Sequence, residues 1–451
     1  MKRLANFLVL SLCAASPLMA QETTSEQSAA EQSAEIYAKG YDKFRFGGYG
    51  EVLANFMDYG INRYTRPEGN EKTHRNSISI PRFVLAFDYK FNSKWILGAE
   101  IEFEAGGTGS AYELENTENG EYETEVEKGG EVALEQFHIT RLIHPAFNVR
   151  AGHLIVPVGL TNEHHEPINF FGTSRPEGET TILPSTWHEN GIEVFGTFGR
   201  KYARFNYQFQ VVAGLNANGF DRNTWVASGK QGIFETDNFT SPAYVARLNY
   251  LGVPGLKLGG SFYYCHNTGA NSDKTATYKS IGNIPLRIYT ADVQYKNKYL
   301  TARANMIYGN LGNTVELSNA NGKLSGLSPY SRVTPIAKNA VSYGGEVGFN
   351  LRSLCRDNTR VPVIYPFVRY EYYNPQEEVL SPHTAELRNK VSMWTAGANW
   401  YALPNLVVKA DYTTRRIGGG KYNSENEFSL GVAYIAWFLS LIHISEPTRP
   451  Y

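Results

Sequence analysis

Trp95-Ile96-Leu97-Gly98-Ala99-Glu100-Ile101-Glu102-Phe103-Glu104 decides the fold. Trp95, Leu97, Ala99, Ile101 and Phe103 fall on one side of an extended chain, and Gly98, Glu100, Glu102 and Glu104 on the other. Successive strand side chains point to opposite faces, so this segment is a strand with one apolar and one charged face. Three glutamates on one face require water there, and five apolar residues on the other require something that is not water.

The same alternation recurs along the chain. Phe83, Leu85, Phe87, Tyr89 and Phe91 stand opposite Val84, Ala86 and Asp88. Tyr289, Ala291, Val293 and Tyr295 alternate with Thr290, Asp292 and Gln294, and Leu406, Val408, Ala410 and Tyr412 with Lys409, Asp411 and Thr413. Short turns at Asn92-Ser93, His144-Pro145-Ala146, Gly199-Arg200-Lys201, Lys296-Asn297-Lys298 and Pro404-Asn405 separate long polar stretches near 57–76, 105–130, 160–189, 216–242, 267–284, 310–340 and 374–390. Alternating short and long links are the rhythm of an up-and-down barrel. The reading is an all-β protein, a transmembrane antiparallel β-barrel of about 16 strands, running from Phe44 to Phe438.

Composition agrees. The chain is 42% hydrophobic and 13% aromatic, with 30 tyrosines, yet its mean hydropathy is −0.37. That pairing suits a wall whose lipid-facing and water-facing residues average out. A net charge of −1 gives no case for nucleic acid. No uncharged apolar run is long enough for a membrane-spanning helix. Cys265 and Cys355, the cysteines beyond the first 20 residues, are read as unpaired thiols.

The two ends are set apart from the barrel. Met1-Lys2-Arg3, the apolar run Leu4–Leu12 and Pro17-Leu18-Met19-Ala20 have the layout of a cleaved export signal, residues 1–20. Residues 21–43 read as a polar flexible lead on the periplasmic side. At the other end Phe428, Leu430, Val432, Tyr434, Ala436 and Phe438 alternate cleanly, and the pattern then stops. Leu439 to Arg449 matches, codon for codon, a translated transposase-type sequencing adaptor, so 439–451 is read as an artefactual tail.

Charges on strands must face the lumen or lie near an interface, because one facing lipid at mid-membrane costs ~2–4 kcal/mol. Arg82, Arg204, Arg247, Arg287, Arg303, Arg369 and Lys409 are such cations, and Glu100, Glu102, Glu104, Glu346 and Glu371 such anions. The stretch after the fifth strand carries Glu163, His164, His165, Glu166, Phe170, Phe171, Arg175, Glu177, Glu179, Trp187 and His188, too decorated for a connector. Folded back into the lumen it would form a constriction. The expected pore-lining and constricting residues are Glu100, Glu102, Glu104, His164, His165, Glu166, Arg175, Glu177, Arg303 and Arg369. Adjacent residues point apart and no third ligand stands at useful spacing, so His164 and His165 are not read as a metal site, and no cofactor is expected. Glu113, Glu115, Glu118, Glu121, Glu123, Glu125 and Glu127 read as a solvated acidic loop. No nucleophile elbow, zinc-protease helix or phosphate-cradling loop is present, so the chain is not read as an enzyme.

Phe46-Gly47-Gly48-Tyr49-Gly50-Glu51, Gly152-His153-Leu154-Ile155-Val156-Pro157-Val158-Gly159 and Leu183-Pro184-Ser185-Thr186-Trp187-His188-Glu189-Asn190-Gly191-Ile192 together resemble the phosphate-selective porin O and P family, in the form common in Bacteroidetes. The resemblance implies a 16-stranded trimeric porin in the bacterial outer membrane, seated among lipid and lipopolysaccharide, passing small hydrophilic, including phosphate-like, solutes. Its arginine and lysine ladder has no residue-by-residue counterpart here. The rival reading is a non-conducting surface barrel, an adhesin or scaffold.

Overall fold

The computed structural model describes residues 43–60, 67–116, 122–231, 236–322, 334–355 and 361–439. The export signal, most of the lead and the tail beyond Leu439 lie outside them. Sixteen antiparallel strands close into a barrel: β1 (Phe44–Met57), β2 (Arg75–Ser79 and Arg82–Lys90), β3 (Trp95–Asn116), β4 (Tyr122–His144), β5 (Phe147–Ile155), β6 (His188–Arg200), β7 (Ala203–Val212) and β8 (Ala243–Val253) form one half. β9 (Leu256–Cys265), β10 (Leu286–Lys296), β11 (Leu300–Leu311), β12 (Asn339–Phe349), β13 (Val363–Glu378), β14 (Val391–Leu403), β15 (Leu406–Ile417) and β16 (Ser424–Leu439) form the other. Each strand pairs with its sequence neighbours, and β1 pairs with β16 from Arg45 opposite Leu439 to Met57 opposite Glu427. That last ladder removes the free edge that lipid cannot satisfy.

β2 is one strand in two pieces. Both pieces pair with β1, Ser79 opposite Leu53 and Phe83 opposite Gly50. Pro81 lies between them and has no amide to give the ladder. Its carbonyl instead accepts from Ala105 N at 3.0 Å.

The burial pattern is inverted relative to a water-soluble protein. Leu248, Tyr289, Met306, Trp394 and Val432 are exposed, whereas Lys409 is 1%, Arg247 2% and Arg369 4% exposed. The apolar belt is therefore outside and the charge inside, as a barrel in a bilayer requires. A separate apolar core, including Trp187, Phe220, Trp225, Tyr263, Ile288 and Ile307, lies on the inner face where the described segments 213–231, 236–242, 266–285, 312–322 and 334–338 meet. Those segments pack together there, and Trp225 Nε1 donates to Ala337 O at 3.0 Å.

The structure revises one reading of the chain. The described parts of 105–130 are strand and not loop: β3 continues to Asn116 and β4 starts at Tyr122, with Glu113 opposite Glu125 and Glu115 opposite Glu123. Glutamates at every second position are a strand signal that their charge masks, because like charges across a ladder disfavour pairing. Glu118 and Glu121 lie outside the described residues. Cys265 and Cys355 are free thiols, as expected.

Leu248→Arg places a cation on the lipid face midway along β8. It should destabilise the barrel by about 2–4 kcal/mol in urea unfolding from lipid vesicles; an unchanged midpoint would show that this face does not meet lipid.

Candidate functional site

The connection between β5 and β6 turns inward rather than out. Every residue from Val156 to Thr173 is buried. The connection leaves the wall at Gly159, whose φ of 90° and close approach to Glu179 both exclude a side chain: a Cβ there would lie 2.7 Å from Glu179 Cδ. Two short helices follow, α1 (Leu160–Glu163) and α2 (Glu177–Ile182). Glu179 accepts from Leu160 N at 3.2 Å and Asn162 N at 2.8 Å, joining the start of the loop to its return, and from Asn305 Nδ2 of the wall at 2.6 Å. Burial raises the Glu179 carboxyl above its usual range, against those amide hydrogen bonds. Asn162 closes the neck, donating to Val156 O at 2.7 Å and accepting from Trp187 N.

The wall grips the loop around nearly the whole circumference. Arg247 of β8 lies 2.9 Å from Glu163, and Lys257 of β9 3.8 Å from the same carboxylate. Gln294 of β10 meets His164 at 3.1 Å. On β12, Glu346 accepts from Phe171 N at 3.1 Å. On β13, Arg369 donates to Ser174 O at 3.0 Å and to Phe171 O, and Glu371 accepts from Gly178 N at 2.9 Å. On β15, Lys409 donates to the carbonyls of Pro167, Phe170 and Gly172, Asp411 accepts from Thr173 N at 2.6 Å, and Arg415 reaches Glu177 at 2.6 Å. On β4, Glu135 lies 2.8 Å from His165. β4 and β12 are eight strands apart on a ring of sixteen, so the loop spans a diameter. The Phe171 ring stacks on Phe367 at 5.3 Å and lies over Gly348, where a Cβ would come 2.7 Å from Phe171 Cε2.

The ten residues singled out from the sequence fall on this inner side in distinct settings. Arg303, Glu346 and Arg369 stand in one cross-strand row, so a single carboxylate pairs two guanidiniums. Arg82 reaches Glu102 at 3.1 Å, Glu51 at 3.4 Å and, at 4.0 Å, the more exposed Glu104. Glu100 accepts from Gln136 Nε2 at 2.6 Å, and Glu166 from Asn169 Nδ2 at 2.7 Å. Arg175 donates back to His165 O at 3.1 Å and to Ser185 and Thr186, both at 2.9 Å, and Glu177 also accepts from Tyr373 Oη. His164 and His165 do point apart, one to β10 and the other to β4. Burial pulls the His165 imidazole down, but Glu135 beside it carries it up to about 9.

Sequence reasoning missed Glu135. The register of β4 against β3 slips between the Glu100–Gln136 and Ile101–Leu134 pairs, leaving Glu135 as the extra residue of a bulge. The bulge lets Glu135 and Gln136, adjacent in sequence, both be buried, which strict alternation forbids. Arg247 and Lys409 were legible as strand cations; their partners in the loop were not.

No family model matches the chain. An uncharacterised protein of Aquifex aeolicus (strain VF5) is 26% identical over 401 residues, covering 87% of this chain and 79% of that one. Among solved structures, Salmonella typhi OmpF, in a complex with daunomycin, superposes with a TM-score of 0.53 at 11% identity, covering 87% of this chain and 97% of its own. The anion-selective porin from Comamonas acidovorans gives 0.50 at 10% identity over 87% and 99%. At such identities the likeness is one of fold, the 16-stranded closed barrel.

Lys409→Met leaves three loop carbonyls without their ammonium donor. An unsatisfied buried acceptor costs about 1–3 kcal/mol, so amide hydrogen exchange across 166–174 should quicken about tenfold or more while the strands keep their protection. Unchanged exchange would show that the ammonium does not hold the loop.

Proposed function

We propose that this chain is a porin of the bacterial outer membrane, a channel rather than an enzyme, through which small hydrophilic solutes diffuse passively. The observation that carries the reading is a polar, wall-gripped loop lying across the lumen of a closed barrel whose outer face is apolar. In this reading the loop 160–189 is the constriction, and Glu100, Glu102, Glu104, His164, His165, Glu166, Arg175, Glu177, Arg303 and Arg369 line the path or shape it.

The charge pattern bears on which solutes pass. Arg45, Arg82, Arg150, Arg247, Arg303, Arg369 and Arg415 each have a carboxylate within 4.0 Å, and Lys409 is taken up by loop carbonyls. Cations already neutralised cannot form a ladder for phosphate. The structural neighbour from Comamonas acidovorans is named for anion selectivity; the pairing here supports a lumen with little anion preference, so phosphate-like solutes would pass as small solutes and not as favoured ones.

A second reading is supported by the extent of the filling. The loop reaches opposite walls and the apolar core occupies part of the inner face, features that suit a non-conducting surface barrel. A trimer in the membrane, resting on the family resemblance, belongs to the porin reading.

Single-channel recording in planar bilayers separates the two. The porin reading expects discrete steps, a reversal potential in a salt gradient that is near zero or cation-favouring, and larger steps in Lys409→Met. Silence from a correctly folded barrel would hand the chain to the scaffold reading, and a strongly anion-favouring potential would refute the neutralised lumen.

A further inference from the structure

His165, Glu135 and Glu100 converge from three separate elements, the inward loop, β4 and β3. Their ligand atoms all lie within 4.8 Å of one another, and His165 and Glu135 are buried. His165 Nδ1 lies 3.0 Å from Asn162 O, a contact only an N–H can make. This places a proton on Nδ1 and turns Nε2, whose own proton a bound metal ion would displace, toward the carboxylates. Nε2 sits 2.8 Å from Glu135 Oε1, with the residue only 1% exposed. An imidazole held by its far nitrogen to a backbone carbonyl, with its near nitrogen turned to two carboxylates, is how metal-ligating histidines are arranged.

We propose that Glu100, Glu135 and His165 form a binding site for a divalent transition-metal ion of the Zn2+ class. One imidazole and two carboxylates supply three ligands and leave a fourth position for water, a pattern Zn2+ accepts. With metal–ligand bonds of about 2.1 Å in a tetrahedral site, ligand atoms stand about 3.4 Å apart, so atoms now within 4.8 Å of one another close by at most roughly 1.4 Å. The flexible glutamate side chains can supply that movement. The side chains that would orient the three ligands are in place: Gln136 Nε2 donates to Glu100 at 2.6 Å, Tyr49 Oη to Glu135 at 3.2 Å, and the Tyr49 ring lies 5.9 Å from that of His165. The ion joins the loop to two wall strands at the one place where the bulge turns Glu135 inward. This site rests on geometry alone and stands whether or not the barrel conducts.

The test is equilibrium dialysis of the untagged, chelator-stripped protein in detergent against Zn2+. One ion per chain is expected, with affinity lowered at least tenfold in His165→Gln and in Glu135→Gln but kept in His144→Gln, whose imidazole lies on an exposed turn. Because a variant can fail to fold, Cu2+ is also bound to the unaltered protein and its electron paramagnetic resonance recorded. Hyperfine coupling to a single nitrogen is expected. No bound Zn2+, binding that survives both substitutions, coupling to two or more nitrogens, or displacement by equimolar Ca2+ overturns the proposal.

Discussion

Within a bilayer a backbone amide has nothing but the protein to bond to, and the rest of this structure depends on how β1 meets that demand. Phe44–Met57 pairs on one side with both pieces of β2 and on the other with β16. Once the ring is closed, the strand period of two leaves no freedom: half of each strand faces hydrocarbon and the other half faces the lumen. The inverted burial, with tryptophan and leucine outside and arginine inside, follows from that closure.

Closure also concentrates charge. Arginines and carboxylates excluded from lipid are confined to the inner face, where those buried beneath the loop, such as Arg369 and Lys409, are out of water and costly if unpaired. Part of the answer is pairing along the wall, as in the Arg303, Glu346, Arg369 row. The remainder is the loop, whose carbonyls, amides and acidic side chains meet wall charges from β4 round to β15. Wall and loop each complete the hydrogen bonding of the other, so neither is well satisfied alone.

The wall was legible because a period-two pattern is local and repeats. Trp95–Glu104 and Tyr289–Tyr295 declare their two faces without reference to anything distant, and turn residues such as Pro404-Asn405 mark the hairpins. The loop's inward course was suggested by composition, but its partners were not, since Lys409 and Gly172 are joined only through closure of the ring. Two local signals were misleading. The Glu113–Glu127 run hid strands beneath its charge, and the bulge at Glu135 broke alternation by one residue. A bulge has no sequence marker of its own when neither residue is glycine, and that is why the carboxylate facing His165 surfaced only in three dimensions.

A loop fixed at both ends of a diameter is a strut as well as an obstruction. A thin cylinder deforms most readily by becoming oval, lengthening one diameter as it shortens the perpendicular one. Contacts at Glu135 on β4 and Glu346 on β12 oppose that mode directly, while those on β8 and β15 brace a crossing direction. The barrel is thereby stiffened against sideways pressure from the surrounding lipid, and any force that flattens the wall is carried straight to the segment between His165 and Phe171.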